Sequence, residues 1–203
     1  HSGSGCSDSG DEMSTQLSAL QTRVLEVLSG IEPAWTLTGG AALAGFHLGH
    51  RSTRDLDLFW HGQQSIVDRR REVVALLVAE GLAVTELRST PGFCTIQARN
   101  ATETVLVDLV AEPVPAIERP DFLEIGGARI YVDTKHEILV NKLCALLHRS
   151  EVRDLVDVRA LVADGQANAR ADALRAHHDC AFLGRVVGGV LEQVAQRIVE
   201  LAG

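Results

Sequence analysis

Apolar residues recur at three- and four-residue intervals between Thr15 and Leu28, where Leu17, Leu20, Val24, Leu25, Val27 and Leu28 form one stripe. That spacing predicts a first helix, closed by Gly30 and Pro33. Trp35 and Leu37 lead a short strand into a tight turn at Gly39–Gly40, and the apolar run 41–48 predicts a second helix. From Thr53 to Trp60 polar and apolar residues alternate, the period of a strand with one covered face. A third helix is expected over Gln64–Glu80, basic at its start and capped by Gly81. Three strands follow at Ala83–Leu87, Phe93–Ala98 and Thr104–Val110. Pro113, Pro115 and Pro120 predict an irregular stretch over 111–122, and Arg129–Val132 reads as a short strand after Gly126–Gly127.

Beyond Lys135 the period is helical throughout, over Ile138–His148, Glu151–Val162, Ala167–His178 and Phe182–Leu201. The expected architecture is therefore α/β of the α+β kind, a short mixed sheet flanked by helices. Residues 14–133 form its mixed α/β core and 134–203 a helical C-terminal part. Residues 1–13 lack any aliphatic side chain before Met13 and read as a disordered tail or an expression remnant.

Composition narrows the function. The formal net charge of −8 argues against sequence-independent wrapping of nucleic acid, but leaves room for a local contact with one end of an RNA. Only Lys135 and Lys142 among the basic residues are lysines, so few side chains can supply an ammonium. No apolar run is long enough to span a membrane, and no basic-then-apolar leader stands at the N-terminus. The four cysteines lack C-x-x-C spacing and read as free thiols, which together with the missing leader predicts a cytoplasmic protein.

The sharpest local feature is Asp55-Leu56-Asp57. Residues i and i+2 of a strand share a face, so both carboxylates converge while Leu56 and Leu58 enter the core. Such a pair repels itself unless a cation or proton intervenes, and Mg²⁺ suits oxygen donors that also meet phosphate. Asp108 is a third acid inside the otherwise apolar Val105–Val110 run, where an unpaired aspartate is costly to bury. Gly39–Gly40 precedes a helix and can offer backbone N–H groups to an anion. Lys142 and Arg149 share an apolar stripe with Ile138, Leu139 and Leu146, so they either reach a buried anion or pair with Asp154 or Asp157 to pin two helices. Arg153 and Asp154 read as structural, because adjacent helical side chains diverge. Arg69–Arg71 reads as a solvated helix face, and His177-His178-Asp179-Cys180 does not read as a metal site.

Two blocks resemble a known family. Leu37-Thr38-Gly39-Gly40-Ala41-Ala42-Leu43 followed by His50-Arg51-Ser52-Thr53-Arg54-Asp55-Leu56-Asp57 resembles the opening motif of AbiE-type toxin nucleotidyltransferases, a branch of the polymerase-beta-like nucleotidyltransferase superfamily. Glu137–Leu147, with Lys142, and then Arg153-Asp154-Leu155-Val156-Asp157 resembles the later motif, a lysine helix and R-D-x-x-D. The resemblance implies the minimal polymerase-beta-like fold and transfer of NMP from an NTP to an acceptor hydroxyl. It casts Asp55, Asp57 and Asp108 as ligands of Mg²⁺ (or Mn²⁺), with Asp108 also serving the acceptor hydroxyl. Gly39, Gly40 and Lys142 would meet the triphosphate, with Asp154 or Asp157 steadying the lysine or helping the site; from the residues themselves, Arg51 in preference to Arg54, and Ser52, are further candidates for a phosphate contact. It further implies a tRNA or other RNA acceptor and a partner antitoxin protein. Two rivals stand beside it: the same chemistry on a small antibiotic, which the acidic charge suits, and a catalytically silent nucleotide-binding protein of the same fold.

Overall fold

A computed structural model describes residues 17–49, 52–116, 118–148 and 151–164, with only the backbone at 147 and 148. The expected helices at Ala167–His178 and Phe182–Leu201, the tail 1–13, the 177–180 cluster, Arg51 and Arg149 lie outside the described residues. The elements run α1 (Ala19–Leu28), β1 (Thr36–Thr38), α2 (Gly39–Ala42), β2 (Asp55–His61), α3 (Val67–Ala79), β3 (Ala83–Ser89), β4 (Phe93–Arg99) and β5 (Thr104–Glu112). Then come β6 (Asp121–Ile125), β7 (Ala128–Val132), α4 (Lys135–His148) and α5 (Val152–Ala163). Seven strands form one mixed sheet in the order β3-β4-β5-β2-β1-β7-β6. β2 pairs with β5 and β1 with β7 in parallel, and the other neighbours are antiparallel.

One face of this sheet is the core. Leu56, Leu58 and Trp60 of β2, Val105, Val107 and Leu109 of β5, and Cys94 and Ile96 of β4 are buried together with Leu20, Val24, Leu25 and Leu28 of α1 and Val73 and Leu77 of α3. Burying aliphatic side chains of this size stabilises the fold by about 1.5–3 kcal/mol each. The alternation that buries Leu56 and Leu58 necessarily turns Asp55 and Asp57 to the opposite face. α1 starts with a capping box, in which Ser18 Oγ accepts from Gln21 N and Gln21 Oε1 accepts from Ser18 N. The same buried Gln21 donates through Nε2 to Thr53 O at 3.2 Å, tying α1 to the segment that feeds the acid strand.

Two local expectations change. The Gly39–Gly40 pair is the first turn of α2 itself, which widens at 43–47 until Leu48 N–H meets Leu43 O at 2.8 Å. Asp121–Ile125, expected within or beside irregular chain, is an edge strand, because it closes a hairpin with β7 across the positive-φ glycines Gly126 and Gly127. Cys94 is a buried free thiol as expected, whereas Cys144 is disulfide-bonded.

Candidate active site

The parallel register of β2 on β5 sets Asp57 directly beside Asp108. The antiparallel pairs on either side extend that row to Thr38 of β1 and Thr95 of β4. Adjacent strands lie about 4.8 Å apart, so four oxygen-bearing side chains line one face of the sheet in sequence. Asp55, one pleat away on β2, stands on the same face. Thr95 Oγ1 donates to Asp108 Oδ1 at 2.6 Å and fixes that carboxylate. Thr38 Oγ1 is buried and finds no partner among the described residues. Asp57 is strained by this arrangement: burial, then the neighbouring Asp108 charge, raise its pKa to about 6, with Asp55 adding and Lys142 and Arg153 opposing.

Gly39 shows why a glycine opens α2. Its φ is +64°, and a Cβ there would overlap Asp57 Oδ2 and stand 2.9 Å from Asp57 Cγ. The α2 backbone is thus laid directly against the acid pair, with its first N–H groups at the cleft. Gly39→Ala is expected to lower stability by about 1–3 kcal/mol through the left-handed backbone alone and to displace the Asp57 carboxylate. Thermal melting with and without magnesium reads both effects; a variant that melts like the parent and gains as much from the ion contradicts the close approach.

The lysine helix satisfies one of its two readings directly. Lys142 Nζ meets Asp154 Oδ1 and Asp157 Oδ2, each at 2.9 Å, and both carboxylates are fully buried. Asp154 and Asp157 are three residues apart on α5, so they share a face toward α4. Lys142 therefore pins α4 to α5, and it also lines the cleft over the acids. Arg153 points away from that triad and reaches Asp55, Nη1 to Oδ2 at 3.4 Å, so the reading that kept Arg153 out of the site does not hold. Both partners are partly exposed, which makes the pair weak by itself.

Gly40, Ser52, Asp55, Asp57, Asp108 and Lys142 all line one cleft of about 280 Å³. Thr53, Arg54 and Arg153 line it too. Thr38 and Thr95, whose parity with the acids depends on strand partners, and Thr53 carried no signal in the sequence, whereas Arg54, there ranked behind Arg51 as a phosphate contact, lines the cleft. Gly39 borders the acids from below, and Asp157 reaches the site only through Lys142.

The donor set suits a hard divalent cation: three carboxylates, one with a raised pKa, and an orphaned hydroxyl in the same row. Among the described residues no group of three or more His, Cys, Asp or Glu side chains is arranged to hold a metal ion as it stands. A hard ion in this cleft would take its remaining ligands from phosphate and water.

The seven-stranded mixed sheet thus holds an acid pair one strand from a third acid, with a glycine-led helix laid against them. The sequence profile described as nucleotidyl transferase AbiEii toxin, Type IV TA system, matches residues 23–187, and the chain belongs to that family. It is a nucleotidyltransferase of a toxin–antitoxin class. No protein of curated function matches it in sequence. Among solved structures it is similar to JHP933 from Helicobacter pylori, with 20% identity and TM-score 0.52 over 90% of this chain and 85% of that one. It is also similar to an antigenic nucleotidyltransferase-like protein from Paracoccidioides brasiliensis, with 19% identity and TM-score 0.50 over 72% and 77% of the two chains. The antibiotic-resistance factor ANT(2'')-Ia matches with 16% identity and TM-score 0.50, over 89% of this chain and all of that one. At these identities the likenesses establish the fold. No helix among the described residues is long and apolar enough to cross a membrane.

Proposed function

We propose that the chain transfers a nucleoside monophosphate from an NTP to an acceptor hydroxyl and releases pyrophosphate, with Asp55, Asp57 and Asp108 holding Mg²⁺ or Mn²⁺. The observation that carries this reading is the in-register Asp57–Asp108 pair beside the Gly39–Gly40 start of α2. The divalent ion, when bound, neutralises triphosphate charge and favours the ionised acceptor oxygen. The chain's own groups do the rest. Backbone N–H groups of Gly39 and Gly40, with Ser52 from the segment that leads into β2, donate to phosphate oxygens. Lys142 is held rigid by Asp154 and Asp157, so its charge acts on the cleft from a fixed point. Asp108, oriented by Thr95, takes the proton as the acceptor oxygen bonds to the α-phosphorus and the bond to the β-phosphate breaks.

Arg153 has a defined part in this scheme. It stands on Asp55 and must yield when a cation takes that carboxylate, after which its guanidinium is available to the departing pyrophosphate. An antitoxin protein is the partner that the family's toxin–antitoxin class supports. The test is incubation with each α-labelled NTP, Mg²⁺ and total RNA, in parallel with an aminoglycoside panel. Label on RNA, abolished by EDTA, is the expected result. Label on a drug instead moves the acceptor to the small-molecule class, and no label on either contradicts transfer.

A further inference from the structure

The acid-bearing face of the sheet does not end at Asp108. Among the described residues α2 packs on β1 and β2, and α3 packs on β3. On β4 and β3 the acid-bearing face continues through Thr95 to its partner Arg88, and through Gln97 to Thr85. Arg99 stands at the end of β4 on the same parity. Two strand spacings put the Arg88 position about 10 Å from Asp108. Phe93, two residues before Thr95, lies on this face as well, and the Arg88 guanidinium stacks over its ring at 5.4 Å from the centroid.

The chemistry of this extension is distinctive in a chain of net charge −8. Arg88 and Arg99 are exposed, Phe93, Thr95 and Gln97 are half-buried, and no carboxylate on β3 or β4 shares their face. Glu86, the only acid of β3, pairs with Ile96 and so faces the α3 side, where Arg70 meets it. No ion pair to Arg88 or Arg99 occurs among the described residues. A cationic acceptor would find two like charges on these two strands, with the nearest carboxylate of this face at Asp108. An anionic strand with stackable bases finds guanidinium groups, an aromatic ring and amide and hydroxyl donors, contiguous with the residue that receives the acceptor proton.

We propose that the β3–β4 half of the acid-bearing face is the acceptor platform, with Arg88, Phe93, Gln97 and Arg99 seating the terminal nucleotides of a single-stranded RNA end whose hydroxyl meets Asp108. This assignment rests on the transferase reading for its geometry, but its binding test does not need catalysis. Thr95 is a positioning residue in it, holding Asp108 at the junction of platform and metal site.

The experiment is fluorescence anisotropy of a labelled single-stranded RNA of about 12 nucleotides, a length within one small domain's site size. It is run over a salt series with the full chain, an Arg88→Glu/Arg99→Glu variant and an Arg71→Glu control. Arg71 lies on α3, across the sheet from the platform. The parent is expected to bind, and the double variant to bind at least about tenfold more weakly, with its salt slope smaller by about 1.4 or more for two lost phosphate contacts. Arg71→Glu is expected to match the parent, and all three proteins are expected to melt alike. Equal RNA binding by parent and double variant, no RNA binding by the parent, or binding of an aminoglycoside probe in its place overturns the assignment. Calorimetry of Mg²⁺–NTP on the same proteins is the separate check: its failure in the parent strikes the transferase reading and leaves the RNA result to judge the platform alone.

Discussion

Asp57→Asn melts higher than the parent in metal-free buffer at pH 7.5, yet transfers nucleotide at least about 10³-fold more slowly. The physical origin of both effects is one carboxylate. Burial and Asp108 raise the pKa of Asp57 from 3.8 to about 6. A carboxyl raised in the folded state contributes stability that is fully present below its unfolded pKa and is lost as pH rises through the folded one. At pH 7.5 the metal-free protein therefore carries an ionised Asp57 at a cost on the order of 2 kcal/mol, allowing for its partial exposure. Asparagine keeps the shape and removes that charge, which corresponds to a rise of about 4–8 °C in Tm for a chain of this size. The advantage shrinks as pH falls from about 6 toward 4, because the parent then protonates Asp57 itself. Magnesium reverses the order at pH 7.5, stabilising the parent by binding only its folded state and leaving Asp57→Asn unchanged. Melting curves at pH 5 and 7.5, with and without the ion, give all of this. A less stable Asp57→Asn at pH 7.5, or an advantage equal at both pH values, would mean that the carboxylate carries no strain.

Lys142→Ala is expected to cost about 3–5 kcal/mol of stability, because it removes the ammonium that the buried carboxylates of Asp154 and Asp157 share. Both aspartates are 0% exposed, so water cannot take over the lysine's role. At about 2–4 °C per kcal/mol the melting point falls by roughly 6–20 °C. The loss reaches the acid row as well, since Lys142 opposes the upward pressure on the Asp57 pKa. Chemical denaturation of Lys142→Ala against the parent measures the first effect, and the pH at which magnesium binding fails measures the second. A variant within 1 kcal/mol of the parent would mean that the triad does not hold α4 to α5.

The parts of the site legible in the sequence are those set by local periodicity. Asp55 and Asp57 share a face because they are two apart on an alternating strand, whatever that strand pairs with. Asp108 stood out as an acid in an apolar run, and its strand formed where expected. Its place on a strand neighbouring that of Asp57 was expected and holds, but the register that sets the two side by side was not legible, because β2 and β5 are separated in the chain by α3, β3 and β4. Thr38 and Thr95 share that dependence, being ordinary strand threonines until register places them in the acid row. Arg153 escaped for a different reason. The divergence of adjacent helical side chains is real, but α5 has partners in both directions, with Lys142 on one side and Asp55 on the other. Asp121–Ile125 escaped because Pro120 marks a break and the strand exists only through its hairpin with β7.

The fold and family make the chain a nucleotidyltransferase. The central claim beyond that is that its three carboxylates hold a divalent ion against an NTP. Isothermal calorimetry of an NTP into the parent and Asp57→Asn at pH 7.5, with magnesium and with EDTA, tests it most directly. The parent is expected to bind the NTP in magnesium and to lose it in EDTA, and Asp57→Asn is expected not to bind despite its higher metal-free melting point. NTP binding that survives EDTA, or that Asp57→Asn retains in magnesium, would contradict it.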